Sequence, residues 1–218
     1  MRTLFLARGH SQKERGARNH SLNIGEWDLT NKICNQLKGV EGIVIVPSFG
    51  KKSSDEELAF KTNWVNDRMD YDDVFIDLHL NTSRGALILR NARQGIKESA
   101  DICYKYAKAT GIRFQGSVPD YFSRHSSLWV CQQTDNLRGY VLELGSIKHI
   151  GEVDMVQDQA VRGILAIRDY LQPFNPKDAL RKKLGLLRKA LANASDKTKK
   201  TISQAYEKVK KKLSELLK

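Results

Sequence analysis

Residues 74–81 read Val-Phe-Ile-Asp-Leu-His-Leu-Asn, an apolar run that carries Asp77 and leads into His79 and Asn81. Continuous apolar runs are typical of strands covered on both faces, whereas alternating runs suit strands with one face in water. Similar runs occur at 4–7, 43–46, 86–89, 128–131 and 140–142. Candidate helices lie between the runs at 26–38, 55–68, 97–110 and 152–171. This order predicts an α/β fold: an open, mostly parallel, twisted sheet flanked by helices.

The composition is that of an ordinary globular protein with an excess of positive charge. The chain has 218 residues, 40% of them hydrophobic, and a net charge of +12. No stretch approaches the roughly 18 apolar residues of a membrane span, which excludes an integral membrane protein. Only four apolar residues precede Arg8, so we expect no signal peptide and synthesis in the cytoplasm. The cysteines Cys34, Cys103 and Cys131 are too few and too widely spaced for a disulfide framework, which indicates a reducing compartment.

The positive charge is concentrated at the C-terminus. Residues 171–218 contain 14 Lys or Arg and four acids, whereas the preceding residues contain 23 basic and 21 acidic groups. Two prolines within 172–176 mark a linker between a domain at 1–171 and a tail at 177–218. Apolar residues at helical spacing predict two amphipathic tail helices that form a hairpin, the first from Leu180 to Leu191 and the second from Ile202 to Leu216.

Three hypotheses account for a basic amphipathic tail. It binds anionic polymers or lipid of a cell envelope, it packs on the domain or on another tail to form an oligomer, or it binds nucleic acid through phosphates. The tail has few aromatic residues and no base-reading motif, so no specific nucleic acid is expected as a partner.

Titratable residues fall where the predicted strands end. His10 lies just past the first strand, His79 ends the third and Glu143 ends the last, while Glu26 begins the first helix. The carboxyl ends of parallel strands meet at one edge of a sheet, where open α/β folds place their sites. Zinc binds imidazole nitrogens and carboxylate oxygens, and a further carboxylate can accept a proton from water. The pattern is therefore compatible with a metal site.

Each of these residues also has a simpler interpretation. Glu26 suits the positive end of a helix dipole, and a lone histidine after a strand is commonly an ordinary polar residue. Glu143 is harder to explain in this way, because it lies in an apolar run and a buried carboxylate without a partner is costly. The residues alone leave both interpretations open.

Five short motifs follow one another along the chain: Gly9-His10-Ser11, Gly16-Ala17, Gly25-Glu26-Trp27, His79-Leu80-Asn81 and Glu143-Leu144-Gly145. Together they resemble the zinc-dependent N-acetylmuramoyl-L-alanine amidases of the amidase 3 type over about residues 2–170. The Gly-His-Ser opening and the Leu-His-Leu-Asn-Thr-Ser run are most similar to the phage endolysin branch of that family.

The resemblance implies a function for the domain at 1–171. His10, Glu26 and His79 would bind Zn2+, and Glu143 would be the catalytic carboxylate. The enzyme would be a peptidoglycan hydrolase that cleaves the amide between N-acetylmuramic acid and L-alanine by zinc-activated water. It would reach the cell wall after release, through holin-type lesions or mother-cell lysis. Asn81, Arg124 and His125 are weaker candidates for binding the stem peptide.

The chain departs from the family pattern at three places. The loop that follows the first strand is less rich in Gly and Asp, and Lys61 stands where the family often has Arg. After the final Glu motif, Lys148 or His149 stands where the family often has Asn. Two alternatives to the enzyme are a non-catalytic cell-wall-binding protein of the same fold and a basic nucleic-acid-binding protein. The intact set of four titratable residues argues against the first alternative.

Overall fold

The computed structural model describes residues 2–50, 53–123, 127–172 and 196–216. The chain divides into two compact units, of which one is Arg2–Gln172. The other unit contains the C-terminal residues and is described over 196–216, where it is a single helix.

The larger unit is an α/β domain with a six-stranded sheet. Its strands are β1 (Leu4–Arg8), β2 (Arg18–Asn19), β3 (Ile24–Gly25), β4 (Ile43–Ile45), β5 (Val74–Asn81), β6 (Ala86–Arg90), β7 (Phe114–Pro119) and β8 (Gly139–Ser146). Its helices are α1 (Glu26–Gln36), α2 (Ser54–Asn66), α3 (Ile96–Thr110), α4 (Trp129–Gln133) and α5 (Ile150–Leu171), with a 3₁₀ turn at Asp120–Phe122.

The strand order in the large sheet is β4-β1-β5-β8-β6-β7, and β2 pairs with β3 separately. The first four strands in this order are mutually parallel. Strand β6 pairs antiparallel with β8 and parallel with β7, so the last two strands run in the opposite direction. The predicted mostly parallel sheet flanked by helices is confirmed.

Helices cover the sheet on both faces, which explains the continuous apolar runs. Along β5, Val74, Ile76 and Leu78 belong to the core formed with α1, α3 and α5. The intervening Phe75 belongs to a second core formed with α2 and α4. Asp77 and His79 alternate with the residues of the first core and therefore project from the same face as Phe75.

One strand prediction was wrong, and one strand of the large sheet was not predicted. Residues 128–131 were expected to form a strand, but Trp129–Gln133 is the short helix α4, which buries Val130 and Cys131 in the second core. A short apolar run is compatible with a buried strand and with a short buried helix, so periodicity could not distinguish the two. The edge strand β7 was not predicted, because Gly116 and Pro119 interrupt its apolar pattern.

The described part of the C-terminal unit is helix α6 (Asp196–Leu216), which contains the second predicted apolar stripe. The predicted linker beyond Gln172 and the first predicted tail helix lie outside the described residues. In the part of the chain that the structure describes, no helix has the length and apolar character needed to cross a membrane.

Candidate metal centre

His10 is brought to the sheet edge by a tight turn after β1. Its backbone is left-handed, with φ of 61°, and the preceding Gly9 donates its N–H to the carbonyl of Leu78 at 2.8 Å. A Cβ on Gly9 would lie 2.5 Å from that carbonyl oxygen and 2.9 Å from the His79 ring, so the close approach requires glycine. The turn places the His10 and His79 rings with centroids 4.9 Å apart.

Glu26 lies between the two histidines. It is the first residue of α1, and its N–H donates to the Ala17 carbonyl at 2.9 Å beside the β2–β3 pair. Its Oε1 is 2.9 Å from His79 Nδ1, and its Oε2 is 3.1 Å from His10 Nε2. The same two oxygens accept backbone N–H groups of Leu80 at 3.0 Å and Ala17 at 3.2 Å. The carboxylate is therefore held in place from both sides.

The electrostatics keep this carboxylate ionised. Burial acts to raise the pKa of Glu26, but the hydrogen bonds with His10 and His79 outweigh it, and the pKa lies well below its ordinary value. Burial likewise acts to lower the pKa of His79, but Asp77 and Glu26 outweigh it and raise the pKa well above its ordinary value. The cluster attracts positive charge.

The three side chains fit a divalent metal ion. One ligand atom from each of His10, Glu26 and His79 lies within 4.8 Å of the other two. Zinc binds nitrogen and oxygen at about 2.0–2.2 Å, so ligands of one ion lie about 3–4 Å apart. Two imidazoles and one carboxylate are a donor set that zinc uses in catalytic sites, with a further position left for water or substrate.

Glu143 lies next to this cluster. It is in register with His79 across the parallel strands β5 and β8, so the two side chains project from the same face of the sheet. Its Oε2 is buried, and no described residue hydrogen-bonds to it. Burial raises the pKa of Glu143 to about 7, against the opposing effect of His79. Such a carboxylate can take up and release a proton near neutral pH.

The structure places His79 and Glu143 slightly differently in their strands than expected. His79 is followed by two more residues of β5, and Glu143 by three more of β8, so neither residue ends its strand. His79 and Glu143 are paired in the register of the two strands. The predicted residues still meet at the carboxyl edge of the parallel strands: His10, Glu26, His79 and Glu143.

Of the three weaker candidates, the structure describes only Asn81. The Asn81 side-chain oxygen accepts the N–H groups of Thr82 at 2.7 Å and Ser83 at 3.3 Å, which stabilises the turn after β5. Arg124 and His125 lie outside the described residues. The segment that leads to them leaves β7 at Pro119, which pairs with Arg90, whereas Leu87 pairs with Glu143. Because β7 runs opposite to β8, this segment starts at the other edge of the sheet.

Two buried residues lie behind the histidines, and the sequence reasoning did not predict their contacts. Asp77 is 1% exposed, and its Oδ2 lies 3.3 Å from His79 Nε2. Lys61 is also 1% exposed, and its Nζ lies 3.6 Å from Asp77 Oδ1. The available signal was an aspartate inside an apolar strand, two residues before a histidine on the same strand face.

Comparison with known proteins gives matches among solved structures. No family model matches the chain, and no curated protein matches it. The amidase of Clostridium difficile 630 is similar with a TM-score of 0.57 and 19% identity, covering 80% of this chain and 98% of that one. The catalytic domain of CwlV, an N-acetylmuramoyl-L-alanine amidase from Bacillus (Paenibacillus) polymyxa, is similar with a TM-score of 0.60 and 19% identity, covering 78% and 97%.

A third similar structure is the catalytic domain of the CD27L endolysin, which targets Clostridium difficile, with a TM-score of 0.57 and 19% identity, covering 80% and 99%. The fold is that of the N-acetylmuramoyl-L-alanine amidases. About four fifths of this chain cover each of these three structures almost completely, and two of the three are catalytic domains.

Proposed function

We propose that this protein is a zinc-dependent N-acetylmuramoyl-L-alanine amidase that hydrolyses peptidoglycan. The observation that carries the proposal is the convergence of His10, Glu26 and His79 at one sheet edge, beside Glu143, whose buried Oε2 has no hydrogen-bond partner among the described residues. The amidase fold of the larger unit supports it, because solved proteins of that fold include amidases and an endolysin catalytic domain. Release to the cell wall after cytoplasmic synthesis is part of the same proposal.

The residues divide the work between metal binding and proton transfer. His10, Glu26 and His79 would hold the ion, and bound zinc supplies a Lewis acid that polarises a carbonyl and makes water more acidic. Glu143 accepts at its carboxylate a proton from the attacking water and returns a proton to the leaving nitrogen. Its pKa of about 7 suits both steps at neutral pH. The C–N bond breaks, giving a lactyl carboxylate and a free amine on L-alanine.

The deciding experiment combines metal content with cleavage. We expect the wild type and Glu143→Gln to contain about one zinc per chain, since Glu143 is outside the ligand set. Only the wild type releases new L-alanine N-termini from purified peptidoglycan, and the variant is slower by about 100-fold or more. Glu41→Gln, which changes an exposed carboxylate away from the cluster, serves as the matched control and keeps wild-type activity.

Two outcomes would contradict the proposal in different ways. If the wild type binds zinc but does not cleave peptidoglycan, the substrate assignment is contradicted. If the wild type binds no zinc and still cleaves peptidoglycan in the presence of a chelator, the assignment of the metal centre is contradicted.

For the basic tail, we propose binding to anionic polymers or lipid of the cell envelope. Helix α6 supports this proposal, because Lys199, Lys210 and Lys211 are exposed along it. Cationic amphipathic helices bind anionic surfaces through charge and through their apolar face. Oligomerisation through the tail and binding to nucleic acid remain the alternatives.

A further inference from the structure

Lys61 is a buried cation that reaches the backbone around His10. It lies on α2, and its Nζ donates hydrogen bonds to the carbonyl of Arg8 and, at 3.1 Å, to the carbonyl of His10. These two carbonyls flank Gly9 in the turn that gives His10 its left-handed backbone. An ammonium group bound to both carbonyls holds this turn, and with it the imidazole of His10, against the sheet.

Asp77 connects the same lysine to the second histidine. One carboxylate oxygen lies 3.6 Å from Lys61 Nζ, and the other lies 3.3 Å from His79 Nε2. The remaining ring nitrogen, Nδ1, lies 2.9 Å from Glu26 Oε1. A carboxylate that accepts the N–H of one ring nitrogen fixes the tautomer and leaves the other nitrogen for a metal.

Stability alone is a poor explanation for this pair. Lys61 and Asp77 are almost fully buried, next to a core that contains Ala7, Phe75 and Val141. Burying two charges costs free energy that their attraction often fails to recover, and apolar residues of similar volume stabilise a core at least as well. Moreover, Asp77 Oδ1 accepts no hydrogen bond from the described residues and has only the longer contact with Lys61.

We propose that Lys61 and Asp77 form a brace that positions both histidine ligands of the metal centre. Lys61 acts through the backbone of the His10 turn, and Asp77 acts through Nε2 of His79. Both are positioning residues rather than ligands, and the proposal rests on the metal centre of the proposed function.

The test is zinc affinity, measured on the full chain without substrate. A single substitution leaves one charge buried without its partner and can prevent folding. The double variant Lys61→Met/Asp77→Asn removes both charges at similar volume. We expect it to fold, as judged by circular dichroism, and to bind zinc 10–100-fold more weakly in competition with a chromogenic chelator. The visible absorption spectrum of the cobalt-loaded variant should also differ from that of the wild type.

Glu57→Gln is the matched control. Glu57 is a buried carboxylate on the same helix as Lys61, and its Oε2 accepts the N–H of Phe49 at 2.8 Å. We expect this variant to lose thermal stability but to keep the zinc affinity of the wild type within about twofold. Equal zinc affinity in the folded double variant and the wild type would overturn the brace.

A measurement on the wild type keeps the proposal testable if the double variant does not fold. Nitrogen NMR of the zinc-loaded wild type should show His79 with its proton on Nε2, and a proton on Nδ1 would overturn the brace. The brace and the proposed function fail separately, because zinc affinity needs no peptidoglycan. Weaker zinc binding by the double variant supports the brace even if the wild type cleaves no peptidoglycan, whereas a wild type that binds no zinc overturns both.

Discussion

At the scale of single residues, a glycine beside the metal cluster matters as much as a ligand. Gly16 has φ of 73°, a left-handed conformation that favours glycine, and it lies against the metal cluster. A Cβ at this position would lie 2.5 Å from His10 Nε2 and 2.7 Å from Glu26 Oε2. The loop therefore approaches two candidate ligands at a distance that only glycine permits.

This close approach predicts that Gly16→Ala weakens zinc binding by about tenfold or more, since the new methyl group displaces two ligands. Gly39→Ala is the control, because Gly39 has a similar φ of 78° but a Cβ there would meet no atom of the described residues within 4 Å. Both variants should lose about 1–2 kcal/mol of unfolding free energy from backbone strain. Isothermal titration with zinc and thermal melts distinguish the two effects, and equal zinc affinities in both variants would contradict the assignment of the cluster.

At the scale of elements, prediction from sequence succeeded where burial determines the pattern. Strand β5 was recognised because both of its faces are covered, and the sheet edge then placed His10, His79 and Glu143 together. Strand β7 was missed because an edge strand tolerates Gly116 and Pro119. The contact between Lys61 and Asp77 was missed for another reason. It joins α2 to β5, and although an aspartate in an apolar strand is a signal, nothing in the local pattern identifies Lys61 as its partner.

The packing of α3 against α5 gives an element-scale prediction. Gly163 lies in α5 where a Cβ would be 2.5 Å from the Tyr106 ring and 2.7 Å from Thr110 Cγ2 of α3. Alanine normally stabilises a helix relative to glycine by up to about 1 kcal/mol. We expect Gly163→Ala to do the opposite and to lower the unfolding free energy by about 1–3 kcal/mol, because it overpacks this contact.

Gly151 in the first turn of the same helix is the control for this substitution. A Cβ there would meet only the His149 ring, at 3.5 Å, among the described residues, so Gly151→Ala should leave stability unchanged or increase it. Urea denaturation of both variants measures the difference, and equal effects would show that α3 and α5 are not closely packed at Gly163.

At the scale of the whole molecule, charge is distributed unevenly along the sequence. Residues before 171 are almost neutral as a set, while the C-terminal residues carry most of the excess of Lys and Arg. Attraction between a polycation and an anionic surface is screened by salt, with a Debye length of about 10 Å at 0.1 M ionic strength.

We therefore expect binding of the full-length Glu143→Gln variant to cell walls to fall steeply between about 0.05 and 0.5 M salt. Cosedimentation with purified walls measures it, and free teichoic acid or anionic vesicles should compete. Hydrolysis of a small soluble muropeptide by the wild type should change much less over the same range. Wall binding that is insensitive to salt would contradict the envelope proposal, and competition by duplex DNA alone would favour the nucleic-acid alternative.

The three candidate ligands belong to three different elements: the turn after β1, the start of α1 and the strand β5. An ion bound by all three would act as a cross-link, because it closes two chain loops that the unfolded protein would otherwise leave open. The ion would then stabilise mainly the segments that it joins. On adding a chelator, amide hydrogens of the β1 turn and of the β2–β3 segment should exchange much faster, while those of α5 change little. Uniform acceleration along the domain would instead mean that the metal and the whole fold are lost in one cooperative step.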